Sequence, residues 1–207
     1  MTRPTPGKIV CVGRNYAAHA RELGNELPSQ PMLFFKPPSA VIASGESIAI
    51  PPEAGRVDFE GEIALVIGRR ARKVAARDAH DFIAGITCAN DVSARELQKS
   101  DGQWGRAKGY DTFCPMGETV TSGFDWDNLE IVARLNGEVR QHGHVRDLIF
   151  PIPRLIEFIS GVMTLEPGDV ILTGTPEGVG PLAPGDRIEI EIPGVVAINN
   201  SVVGAES

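Results

Sequence analysis

Two glutamates one residue apart, Glu60 and Glu62, stand at the head of an apolar, β-branched run, Asp58-Phe59-Glu60-Gly61-Glu62-Ile63-Ala64-Leu65-Val66-Ile67. Alternate residues of a strand share a face, so the two carboxylates are expected side by side, with Phe59, Gly61 and Ile63 pointing away. Like charges at that spacing repel unless a cation or a raised pKa relieves them. A hard divalent ion such as Mg²⁺ takes oxygen ligands and tolerates neighbouring carboxylates, so the pair reads as a metal site. The alternative is the wet face of an edge strand, where Glu-x-Glu is common. Asp58 has the same parity and fits either reading.

A second acidic position adds weight to the metal reading. The stretch Ile86-Thr87-Cys88-Ala89-Asn90-Asp91-Val92-Ser93-Ala94-Arg95-Glu96-Leu97-Gln98 reads as a short buried strand that breaks at Asn90-Asp91 and turns into a helix. Asp91 is then either a strand-end ligand or a helix N-cap. Three carboxylates would fill half an octahedral shell and leave positions for water and a chelating substrate.

Proton-transfer groups come next. In Gly13-Arg14-Asn15-Tyr16-Ala17-Ala18-His19-Ala20-Arg21-Glu22, His19 and Glu22 are i and i+3, neighbours on one helix face. A carboxylate beside an imidazole fixes its tautomer and raises its basicity, as a water-activating base requires. A solvent-facing pair is the competing reading. Lys108, amid small residues in Arg106-Ala107-Lys108-Gly109-Tyr110, could donate to a developing enolate or carboxylate, or be a solvated surface lysine. The turn Thr173-Gly174-Thr175-Pro176 offers N–H and hydroxyl donors to an anion, without the spacing of a P-loop.

The elements that must position these groups are short. Lys8–Val12 and Met32–Lys36 read as strands, Asn15–Leu27 and Ala75–Ala84 as helical. Leu129–Leu135 is a strand turned back by Asn136-Gly137. The segment from Pro151 to Met163 puts Ile152, Leu155, Ile156, Ile159, Val162 and Met163 on one helix face. Two Pro-Gly-Asp turns, at Pro167 and Pro184, precede further strands, the second being Arg187–Ile192. Many short strands with few helices predict an α+β fold, with a mixed sheet that is rolled or barrel-like. No repeat or linker divides the chain, so residues 1–207 are expected to form one domain, with 1–7 a flexible terminus.

Composition excludes several classes. The 207 residues are 42% hydrophobic and 23% charged with a net charge of −7, which argues against nucleic acid or an anionic membrane as the main partner. No apolar run approaches the ~20 residues of a membrane span, and no secretory signal is evident. Cys11, Cys88 and Cys114 show no pairing or zinc spacing, and the default is buried, reduced thiols in a cytoplasmic protein.

Taken together, Gly13-Arg14-Asn15-Tyr16…His19…Glu22, Phe35-Lys36-Pro37, Asp58-Phe59-Glu60-Gly61-Glu62, Ala89-Asn90-Asp91-Val92-Ser93-Ala94-Arg95, Lys108-Gly109-Tyr110-Asp111-Thr112-Phe113 and Thr173-Gly174-Thr175-Pro176 resemble the successive motifs of the fumarylacetoacetate hydrolase family. The resemblance runs from about Gly7 to about Glu191 and is to the short, single-domain members: acylpyruvate hydrolases, oxaloacetate decarboxylases and hydroxyheptadienedioate isomerases. It implies that Glu60, Glu62 and Asp91 bind Mg²⁺, with Mn²⁺ or Ca²⁺ as substitutes. It makes His19 and Glu22 a water-activating dyad on a closing segment, about Tyr16 to Ser29, and assigns Lys108 to polarising the substrate oxygen. Arg95, Gln98, Gly174 and Thr175 fall at the substrate, a small 2-oxo acid, and the assembly implied is a homodimer. The activity implied is C–C bond hydrolysis of an acylpyruvate-type 2,4-dioxo acid to pyruvate and a carboxylic acid. Oxaloacetate decarboxylation, dienedioate isomerisation and, in a different class, a non-catalytic binding module of the same fold are the alternatives.

Overall fold

The alternation of Gly61-Glu62-Ile63-Ala64-Leu65-Val66-Ile67 decides how the layers stack. In the computed structural model, which describes residues 4–22 and 26–205, this strand is buried on both faces. Ile63, Leu65 and Ile67 join a core shared with Ile131, Ile188, Ile190 and Ile192, whereas Ala64 and Val66 join a second cluster with Ile9, Cys11, Val170 and Leu172. A strand inside two apolar layers needs apolar residues at every position, which is why its sequence runs on after Glu62 without polar interruption.

Two five-stranded sheets carry most of the structure. The first runs in the order Met32–Lys36, Ile9–Gly13, Val170–Leu172, Gly61–Ile67, Ile83–Asn90, with only Ile9–Gly13 and Val170–Leu172 parallel. The second runs Glu138–His144, Glu130–Leu135, Arg187–Ile192, Val196–Gly204, Ile48–Ile50, antiparallel except for its last pair. Both sheets are therefore mixed, and the expected rolled α+β architecture is present; among the described residues the sheets stay open rather than closing into a barrel. Asn136 and Gly137 take φ of 53° and 84°, the two positive values that a tight hairpin turn requires. Of the described helices, none is long and apolar enough to cross a membrane.

Four local expectations change. The strand through Glu60 is interrupted there. Val57–Phe59 pairs with Gly180–Pro181 and Ser93–Ala94, whereas Gly61–Ile67 pairs with Ile83–Asn90, so the chain changes sheets at Glu60. The helix expected over Asn15–Leu27 is α-helical only over Ala17–Glu22, and residues 23–25 of the expected closing segment lie outside the described residues. Ala75–Ala84 forms a 3₁₀-helix over Ala76–Phe82, because its apolar residues Ala76, Ala79 and Phe82 recur every three residues. The helix Ile152–Val162 buries Ile152, Leu155, Ile156 and Ile159 as expected, but Val162 is 59% exposed. Ser160 turns inward instead, its hydroxyl accepting from Val74 N–H at 2.9 Å.

Candidate metal centre

The ends of the first sheet's strands meet at one edge. Gly13, Leu172, Gly61 and Asn90 terminate or begin their strands there, and the loop Thr173–Pro176 leaves from the same edge. One oxygen from each of Glu60, Glu62 and Asp91 lies within 4.8 Å of the others, with all three side chains buried. A single cation with ligand distances of ~2.0–2.6 Å spans such a gap.

The interrupted strand is what brings the glutamates to Asp91. Where the ladder fails, side-chain amides replace it: Glu60 N–H donates to Asn90 Oδ1 at 2.9 Å, and Asp91 N–H to the Glu60 carbonyl at 2.8 Å. Gly61 N–H donates to Gln141 Oε1 at 2.9 Å, and the same amide donates to Thr175 Oγ1 and the Pro176 carbonyl, each at 2.8 Å. Gln141 reaches this point from the second sheet, where a register shift beside Ala133 re-aims its strand. On the other side, the Asn15 amide donates to the Thr173 carbonyl at 2.8 Å and accepts from Phe150 N–H at 2.8 Å. Gly174 has a φ of 108°, and a Cβ there would lie 2.7 Å from Asn15 Cβ, so only glycine fits. Its N–H donates to Glu62 Oε2 at 2.6 Å. Thr175 Oγ1 donates to the Gly61 carbonyl at 3.0 Å.

Buried cations surround the acids. Lys108 Nζ donates to Glu60 Oε2 at 2.8 Å and to Asp91 Oδ2 at 2.7 Å, so it is no surface lysine. Burial alone would lower its pKa, but Asp91 and Glu60 more than offset this and raise it to about 12, leaving a permanent donor. Lys36, from the edge strand, donates to Asp91 Oδ1 at 2.7 Å and to the Val92 carbonyl at 3.1 Å. Arg95 opens the helix Arg95–Ser100, places Nη2 2.7 Å from Glu60 Oε1, and donates to Asp58 Oδ2 and Gln98 Oε1 at 2.8 Å and 3.0 Å. Asp58 thus sits between Arg56 and Arg95 outside the triad, and Asp91 is no N-cap, that position belonging to Ala94.

Each acid responds to these neighbours. Burial pushes Glu60 upward, but Lys108 and Arg95 hold it below the usual carboxylate range. Glu62 has no ion-pair partner among the described residues. Burial first, then Asp91 and Glu60, push its pKa well above the ordinary value. The donor set fits a hard divalent cation: three converging carboxylates, one of them with no cationic partner, and no sulfur or imidazole among them.

His19 is 4% exposed, and its Nδ1 lies 3.2 Å from Glu22 Oε2. Gly178 N–H donates to Glu22 at 3.1 Å, which anchors the carboxylate that orients the ring. His19 shares a cavity of about 360 Å³ with Glu60, Glu62, Lys108, Arg95 and Thr175, to which Gln98, Arg14, Lys99 and Trp104 also contribute walls. Apart from Asp58, the residues expected at the site therefore reach one place: His19, Glu60, Glu62, Arg95, Gln98, Lys108 and Thr175 line the cavity, and Asp91, Gly174 and Glu22 touch that lining through Lys108, Glu62 and His19. Four residues that position the site were given no role from the sequence: Asn15, Lys36, Asn90 and Gln141. Lys36 carried a signal, as a lysine closing the apolar strand Met32–Lys36 just before Pro37, and Asn90 another, as the residue where its strand breaks.

Known proteins match this chain over almost its whole length. Residues 8–203 match the family described as fumarylacetoacetate (FAA) hydrolase C-terminal. A mitochondrial oxaloacetate tautomerase of Arabidopsis thaliana is 49% identical over 201 residues, 94% of this chain and 90% of that protein. A mitochondrial oxaloacetate decarboxylase of Dictyostelium discoideum is 44% identical over 203 residues, covering 92% and 91% respectively. The crystal structure of a 5-carboxymethyl-2-hydroxymuconate delta-isomerase from Mycobacterium smegmatis superposes with a TM-score of 0.92 at 48% identity, over 99% of this chain and 81% of that one. With matches of this extent, the chain belongs to the fumarylacetoacetate hydrolase family.

Proposed function

We propose that this chain is a divalent-metal-dependent enzyme that makes the enolate of a short 2-oxo acid, its reaction being C–C bond hydrolysis of an acylpyruvate-type 2,4-dioxo acid. One observation carries the reading: a base oriented by a carboxylate and a charged lysine line one cavity with Glu60 and Glu62, two of three converging carboxylates. Glu60, Glu62 and Asp91 would hold Mg²⁺, Mn²⁺ or Ca²⁺. When bound, such a cation acts as a Lewis acid on the oxygens of the 2-oxo acid and stabilises the charge that develops there.

The chain's own residues supply the rest. With Nδ1 turned to Glu22, His19 keeps Nε2 as its proton acceptor. His19 takes a proton from water as the water oxygen attacks the distal carbonyl. The bond between that carbon and C3 breaks, its electron pair passing into the pyruvate enolate. Lys108 donates to the enolate oxygen, and Arg95 with Gln98 and Thr175 holds the carboxylate end. The protonated imidazole then returns its proton to C3, giving pyruvate, and the acyl fragment leaves as a carboxylic acid. The burial of Glu60, Glu62 and Lys108 strengthens these contacts.

A second reading follows from the names of the relatives, which are an oxaloacetate tautomerase, an oxaloacetate decarboxylase and an isomerase. In this chain the same groups would release CO₂ from oxaloacetate, leaving the bond's electrons in the enolate, or move a proton between C3 and oxygen through His19. A panel of acetylpyruvate, fumarylpyruvate, oxaloacetate and a hydroxyheptadienedioate, with and without Mg²⁺, separates the readings. Mg²⁺-dependent release of pyruvate and acid from the first two is expected. Turnover of oxaloacetate alone would put decarboxylation or tautomerisation first, and no turnover of any would revive a binding module.

A further inference from the structure

Two cations at the cavity are committed to nothing. The inner ones are bound: Lys36 to Asp91, Lys108 to Glu60 and Asp91, Arg95 to Asp58 and Glu60. Arg14 and Lys99 line the same cavity, yet neither has an ion pair or side-chain hydrogen bond among the described residues. In a chain of net charge −7, two idle cations beside one small cavity stand out.

The backbone places both deliberately. Lys99 follows Arg95 by four residues on the helix Arg95–Ser100, so Arg95, Gln98 and Lys99 share its cavity-facing side. Arg14 adopts a φ of 57°, an unfavourable value for a residue with a Cβ. The clamp on Asn15 holds the chain in that turn, so backbone strain is retained at a residue facing the cavity.

Charge balance indicates what the two cations meet. Asp58, Glu60, Glu62 and Asp91 bring four negative charges, and Arg56, Arg95, Lys36 and Lys108 bring four positive ones, although Glu62 itself pairs with none of them. A divalent cation would be neutralised by the carboxylate and enolate oxygens of a 2-oxo acid. Arg14 and Lys99 then remain for a further negative group, with Val12, Phe34 and Trp104 as apolar wall for the carbons between.

We propose that Arg14 and Lys99 bind a second carboxylate, at the end of the substrate distant from the triad, and so determine specificity for dicarboxylic over monocarboxylic 2-oxo acids. This rests on the site reading above but is independent of which bond breaks.

The test is calorimetric binding of two ligands matched in length, 2-oxoglutarate and 2-oxopentanoate, to the Mg²⁺-loaded full chain. Charge-assisted bonds predict that the wild-type protein holds 2-oxoglutarate roughly 10- to 100-fold more tightly. The double variant Arg14→Gly, Lys99→Gln should lose that preference while keeping its affinity for 2-oxopentanoate. Glycine suits the positive φ, so the melting temperature should equal or exceed wild type, which excludes misfolding. Lys99→Arg should retain the preference. Equal affinities in the wild type, or a preference that survives the double substitution, would overturn the proposal. Failure of the wild type to bind either ligand with Mg²⁺ present would overturn the site reading and this proposal together.

Discussion

Lys36→Met removes one buried charge and little volume, and its consequences can be worked through. The Lys36 and Asp91 side chains are both wholly inaccessible, joined at 2.7 Å, and Lys36 also satisfies the Val92 carbonyl. Breaking a buried ion pair from one side costs about 3–5 kcal/mol. Asp91 keeps Lys108 on its other oxygen, which points to the lower end, ~3 kcal/mol. At about 2–4 °C per kcal/mol for a chain of this size, the melting temperature should fall by roughly 6–12 °C. The same substitution leaves the acidic triad with one cation fewer, so a divalent ion should bind more strongly and recover part of the loss. Saturation at a hundredfold excess over Kd returns about 2.7 kcal/mol. Thermal and urea unfolding with EDTA and with Mg²⁺ measure both effects. A variant as stable as wild type in EDTA, or one that gains less from Mg²⁺ than wild type does, refutes the reasoning.

Three further outcomes are expected. His19→Ala should lower acylpyruvate hydrolysis by roughly 10²–10⁴-fold, the usual worth of a positioned base, and oxaloacetate decarboxylation by less, while Glu62→Ala should damage both alike; intact hydrolysis in His19→Ala would remove the dyad from the mechanism. Chelation should abolish turnover yet leave a cooperative unfolding transition, because Lys36, Lys108 and Arg95 already balance buried acids; circular dichroism of the chelated protein reads this directly. Gly174→Ala should cost about 2–4 kcal/mol in denaturant unfolding, since it adds an unfavourable φ to a clash with Asn15, and should lower Mg²⁺ affinity by displacing the N–H that holds Glu62.

The sequence showed the parts of the site that obey a period. Glu60 and Glu62 alternate, His19 and Glu22 are a helical turn apart, and Asp91 ends a strand, so each was visible from its own neighbourhood. The role of Lys36 was not, because its partner is 55 residues away, and a lysine closing an apolar strand is as often at the strand's exposed end as buried. The break at Glu60 was equally hidden: alternation continues through it, and only the change of pairing partners reveals it. Ala76–Phe82 repeats at three rather than 3.6 residues, a difference too small to read over seven positions. Val162 was placed inward by period alone, but it ends its helix with nothing packed over it.

The amides at the break in the strand make the site sensitive to a change of one atom. Asn90, Gln141 and Asn15 fasten the floor of the site with uncharged donors and acceptors where a backbone ladder would otherwise run. Hydrolysis of any of them to the acid exchanges an N–H donor for a negative oxygen. At Gln141 the new oxygen would face Thr175 Oγ1 and the Pro176 carbonyl; at Asn15, the Thr173 carbonyl; and Asn90 stands beside the ligand Asp91. Slow ageing at these residues would therefore silence the enzyme well before it unfolds. Peptide mapping of an old preparation should find deamidation at these three residues only in inactive molecules, whereas deamidation of the exposed Asn136-Gly137 turn should leave activity intact.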